Sequence, residues 1–178
     1  MNINKIILLS LIPLSSAIYA ADGEITITGR VLDTTCTLGG SSGDYTVTLP
    51  TVGKTALSAA NDTAGDTVFT IVLTTCPVST GISAFFDNTI VEVNDAGRLK
   101  NMATSDKAEN VDIELLNSAR TAMDLKRGTA VAQLSTKLPS ATASSNINLE
   151  YTARYYATAA VTQGGDVSTR AVYTIIYD

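Results

Sequence analysis

The chain has 178 residues, 12 basic and 17 acidic, for a formal charge of −5. No basic cluster appears, which argues against nucleic-acid binding and against docking on anionic membranes. There is no histidine and there are two cysteines. Ser-His-Asp and Cys-His arrangements are therefore ruled out, and paired cysteines leave no Cys/His metal site.

Residues 1–20 read as a secretory signal peptide. Lys5 supplies the positive start, residues 6–14 a short apolar run, and Ser15, Ser16, Ala17 and Ala20 the small residues before cleavage. The competing reading, a membrane anchor, is disfavoured because the run is too short to span a bilayer and no longer one follows. Removal of this leader takes away Lys5, brings the charge to about −6, and leaves about 158 residues, enough for one domain with a core.

From Glu24 onward the chain alternates. Ile25, Ile27, Gly29 and Val31 fall on one face, and Glu24, Thr26, Thr28 and Arg30 on the other. That is a strand with one buried side, yet no turn signal folds it onto a neighbour. Its partner lies farther along the chain or on another molecule, and the second is the expectation. Gly29 stands where an apolar side chain is due, as a bulge or as a point of close backbone approach.

Cys36 and Cys76 follow. Export makes a disulfide between them the expectation, with two free buried thiols as the alternative. Closing a loop of about 40 residues contributes roughly 4 kcal/mol on a chain-entropy model.

Residues 39–43 are a Gly/Ser turn. Tyr45, Val47 and Leu49 alternate as a strand stopped by Pro50, and residues 51–67 read as a long loop with a helical turn at 58–62. Strands are expected at 68–76, 82–88, 90–93 and 111–115, with Met123 and Leu125 on a return strand and a weak strand at 131–138. Residues 139–146 read as a loop. Residues 147–158 form a strong strand with Ile147, Leu149, Tyr151, Ala153 and Tyr155 on one face. The last strand, 167–178, places Ala171, Tyr173, Ile175 and Tyr177 on one face and Val172 and Ile176 on the other, as if buried on both. Short antiparallel strands in this number indicate an all-β sandwich. Gly39-Gly40 and Gly164-Gly165 open no helix and are turns rather than phosphate loops, and Asp62 with Asp66 matches no Ca²⁺ loop. No catalytic residue, metal site or cofactor is indicated.

Four features in order carry a family resemblance: a leader followed at once by the alternating stretch with Gly29; Cys36 paired with Cys76 at the end of a Phe-Thr-Ile-Val-Leu strand; the Tyr-rich strand 151–158; and a C-terminal strand with Gly165 and penultimate Tyr177. The chain resembles shaft subunits of Gram-negative chaperone–usher pili of the type 1 fimbrial kind. It departs in ending on Asp178 rather than a polar amide, and in a short extension before Gly29.

The resemblance implies an incomplete immunoglobulin-like β-sandwich lacking its seventh strand, with residues 21–30 as a donor-strand extension and 31–178 as the pilin domain. It implies that a periplasmic chaperone lends the missing strand, and that at an outer-membrane usher the extension of the next subunit replaces it. Ile25, Ile27, Gly29 and Val31 would then enter a neighbour's groove. Ala171, Tyr173, Ile175 and Tyr177 would line the acceptor groove, and the Asp178 carboxylate would anchor in a basic pocket of the chaperone. The product is a head-to-tail homopolymer on the cell surface, used for adhesion. The alternative function is a secreted carbohydrate-binding adhesin domain, which by resemblance would have two domains and no donor extension. A secreted hydrolase is disfavoured by the missing histidine.

Overall fold

The computed structural model describes residues 25–39, 43–89 and 92–178 and divides into two units, residues 1–32 and residues 33–178. The leader read at residues 1–20 lies outside the described residues. In the first unit, residues 25–32 make no strand, and Ile25, Ile27 and Val31 are 88, 89 and 96% exposed. Alternation prepares a strand, but a strand exists only as part of a ladder, and these residues have none.

Among the described residues of the second unit, eight strands form two sheets. They are β1 (Thr37–Leu38), β2 (Thr63–Cys76), β3 (Ser79–Asp87), β4 (Leu99–Lys100), β5 (Val111–Leu116), β6 (Lys137–Ser140), β7 (Ser145–Ala157) and β8 (Val172–Tyr177). One sheet has the order β1-β2-β7-β5-β4 and the other β6-β3-β8, with antiparallel ladders throughout.

The core lies between them and follows the period of two. Ile71 and Leu73 of β2, Ile113 and Leu115 of β5, and Leu149 and Tyr151 of β7 face Ile82, Ala84 and Phe86 of β3, all buried. Each large aliphatic chain so placed contributes about 1.5–3 kcal/mol. The Tyr151 ring stands edge-on to Phe86 at 5.2 Å and lies 5.7 Å from Phe69. Its hydroxyl shares a hydrogen bond with Ser135, which satisfies the one polar atom that so buried a ring carries.

Several elements differ from expectation. β2 starts at Thr63 rather than 68, because Ala64 pairs with Tyr155 of β7 across a bulge. Gly65 in that bulge has φ +72°, and a Cβ there would meet the Tyr155 ring at 2.9 Å. The helical turn falls at Lys54–Leu57 instead of 58–62. Residues 45–49 form no ladder, although Val47 and Leu49 pack on the core as their alternation requires. Met123 and Leu125 are buried without a strand, held by Met123 N–H donating to Leu115 O at 2.8 Å. Of the strand expected at 90–93, residues 90 and 91 lie outside the described residues.

The weak strand at 131–138 is instead a turn followed by β6, which runs through Pro139. Proline is tolerated there because β6 is an edge strand. Beyond the end of β6, side chains take its place. The fully buried Gln133 accepts at Oε1 from Phe86 N–H at 3.0 Å and donates from Nε2 to Phe86 O at 2.7 Å, while Ser135 Oγ donates to Ala84 O. The far edge of β3 is thus covered as far as Phe86, and the three-stranded sheet ends on its other side at β8.

Candidate strand-accepting groove

β8 pairs with β3 from Val172↔Asp87 to Tyr177↔Ile82. Asp178 N–H donates to Gly81 O at 2.9 Å. In an antiparallel pair this phase turns the backbone groups of the even-numbered β8 residues onto β3, so those of Tyr173 and Ile175 point to the open edge. Such an edge is a template for another strand.

Residues 43–49 form the wall opposite that edge. Between wall and edge lie two hollows. The first, of about 600 Å³, is lined by Val47, Leu49, Ala171 and Tyr173, with Phe69, Ile71 and Ile113 among the core residues that reach it. The second, of about 480 Å³, is lined by Cys36, Leu38, Ile175 and Tyr177. Gly43, Asp44, Ala171 and Tyr173 border both.

Tyrosines fix the width of the groove. The Tyr173 hydroxyl donates to Gly43 O at 2.6 Å and forms a ridge between the hollows. The Tyr177 hydroxyl accepts from Cys36 N–H at 2.8 Å at the far end. Tyr45, on the wall, accepts at its hydroxyl from Val72 N–H at 3.0 Å and donates to Gly39 O at 3.1 Å, tying the wall to β2. Gly43 has φ +72°, and a Cβ on it would meet Leu38 Cδ1 at 2.6 Å. Burial first, and then the neighbouring Tyr45 and Asp44, raises the Tyr173 phenol above its ordinary value, so it keeps its proton for the Gly43 bond.

The predicted residues fall as follows. Cys36 and Cys76 are bonded, S–S 2.09 Å, which holds the residue before β1 against the end of β2. Ala171, Tyr173, Ile175 and Tyr177 share the groove face of the C-terminal strand. Ile176 is 38% exposed on the outer face, so the strand is not enclosed on both sides: its outer face meets solvent. The Asp178 side chain pairs with Lys137 of β6, and Ser79 Oγ donates to the Asp178 main-chain oxygen at 2.9 Å. Ile25, Ile27, Gly29 and Val31 belong to the other unit. The wall was missed as part of the site, although the alternation of Tyr45, Val47 and Leu49 signalled its inward face.

A family model described as "Type-1 fimbrial protein, A" matches residues 49–178. The chain is similar to "Major fimbrial subunit SMF-1" of Stenotrophomonas maltophilia (strain K279a), at 41% identity over 91% of this chain and 96% of that protein. It is similar to "F17 fimbrial protein" of Escherichia coli, at 40% identity over 92% and 91%. A solved chaperone–usher pilus shares the fold, with a TM-score of 0.56 and 19% identity over 92% of this chain and 100% of that one. The fold is accordingly the incomplete immunoglobulin-like sandwich.

Proposed function

The chain belongs to the type-1 fimbrial protein family and is a structural subunit of a surface pilus rather than an enzyme, and we propose that it polymerises by strand exchange. Residues 21–30 of one copy, with the inward residues Ile25, Ile27, Gly29 and Val31, fill the groove of the next. Residues 31–178 are the pilin domain, and residues 1–20 direct export through the periplasm. The pilus so built serves adhesion.

The observation that carries the reading is the open edge of β8 above an apolar groove, in a chain that also bears an exposed alternating apolar stretch. Burying two Ile and one Val contributes roughly 5–9 kcal/mol, and backbone pairing with the edge fixes register. Gly29 lies over the Tyr173–Gly43 ridge, where a side chain has no room, with larger residues entering the hollows on either side.

Ile27→Asp tests this by placing an unpaired charge in an apolar site. It blocks polymerisation, whereas Thr28→Asp on the opposite face is mild. Equal polymer yield from the two variants would show that the stretch is not inserted. Before assembly the same groove takes a strand from a periplasmic chaperone, which also receives the Asp178 carboxylate in a basic pocket, and an outer-membrane usher is the site of exchange. Recovery of the periplasmic subunit as a chaperone complex checks this; a stable subunit recovered alone would remove it. No observation favours the carbohydrate-binding alternative.

A further inference from the structure

Two charges lie on opposite sides of the proposed contact. Asp44 stands exposed on the wall at the Tyr173 ridge, bordering both hollows. Arg30, exposed, follows Gly29 on the outer face of the alternating stretch. Neither makes a hydrogen bond or ion pair with another described residue. Arg30 is the one charged residue among residues 25–31. Arg170, the other charge lining the groove, is itself engaged in an interaction.

We propose that Asp44 receives Arg30 of the incoming copy, and that this pair sets the direction and register of the inserted strand. The inference rests on the strand-exchange reading. The chain leading into the wall passes from Tyr177 at Cys36 to Tyr173 at Gly43, and residues 43–49 then border the hollow shared with residues 167–173, so the wall runs opposite in direction to β8. A strand laid antiparallel to β8 therefore runs parallel to the wall. With Gly29 over the Tyr173–Gly43 bond, the next residue, Arg30, comes level with Asp44, and both point outward. Neighbouring strands lie about 4.8 Å apart, within easy reach of an arginine fork. Laid the other way, the strand would bring Thr28 level with Asp44 and carry Arg30 away. A one-residue slip would turn Arg30 into the groove.

The test is charge reversal in the full-length chain, read as the rate of filament growth. Opposite charges side by side on a sheet favour pairing and like charges oppose it, so Asp44→Lys and Arg30→Glu each slow growth about fivefold at low salt. The double variant returns to near the wild-type rate, and the differences shrink at about 0.5 M salt, where exposed charges are screened. Arg30→Glu lies outside the unit that carries the groove, so its effect is not one of groove folding. A double variant no faster than the single ones overturns the pairing. Ile27→Asp run beside them separates the two levels: if it grows as wild type, strand exchange itself fails; if it is blocked while the double variant shows no rescue, only the Asp44–Arg30 pair fails.

Discussion

Gly29→Val is the perturbation on which the proposed register depends most. The two hollows, of about 600 and 480 Å³, leave room for the Ile and Val side chains, but the ridge between them is occupied by the Tyr173 side chain on its way to Gly43 O, 2.6 Å away. Three added carbons there have no cavity to enter. Overpacking of this kind costs about 1–3 kcal/mol, which is about a 5- to 150-fold loss in the assembly equilibrium. Tyr173→Leu removes the ridge and the Gly43 bond together. Alone it weakens the groove, because Gly43 O loses its donor at a cost of about 1–3 kcal/mol. Combined with Gly29→Val it relieves the clash, so the double variant assembles better than Gly29→Val alone. The assay is the yield of SDS-resistant polymer as a ladder on unheated gels. Wild-type yield from Gly29→Val would refute close approach at the ridge. No relief by Tyr173→Leu would place Gly29 elsewhere along the groove.

Two further outcomes are expected. Replacing Cys36 and Cys76 by Ser costs about 2–5 kcal/mol and loosens the Cys36 N–H that Tyr177 accepts from; denaturant midpoints measure it, and an unchanged midpoint refutes it. Burial raises the phenols of Tyr151 and Tyr155 above their ordinary value, as burial with Tyr45 and Asp44 raises that of Tyr173. Their protonated forms are favoured in the folded state, so stability is full below the ordinary value of 10.0 and is lost as pH rises through the higher folded values. Phenolate absorbance during an alkaline titration checks this, and ionisation of these three tyrosines at the ordinary value would contradict it.

The legible parts of the fold were those where alternation and burial coincide. Ile147, Leu149, Tyr151 and Ala153 declared β7, and Val111, Ile113 and Leu115 declared β5. The first residues of β2 were hidden because Ala64, Gly65 and Asp66 have no apolar alternation; their place is set by the Tyr155 ring across the ladder. The turn before β6 was misread because Val131 and Leu138 suggest a strand, while the residue that matters, Gln133, acts through its side-chain amide. Val47 and Leu49 face inward as their pattern indicates, yet residues 43–49 have no ladder, since no described strand lies beside them. The groove had no sequence signature as such. It is the space left between two correctly patterned edges, and emerges only when both are placed.

Gln133 has a consequence best put in the language of polymer chemistry. By covering β3 at Phe86, beyond the four-residue edge strand β6, it leaves the six residues of β8 as the longer edge of the three-stranded sheet. On the strand-exchange reading each copy then has one acceptor and one donor, which makes it a monomer of functionality two. Such monomers give unbranched chains, and chain length is governed by the fraction of monofunctional species present. A copy lacking residues 25–31 keeps its acceptor and has no donor. It would act as a chain stopper, shortening filaments in proportion to its dose without altering their thickness.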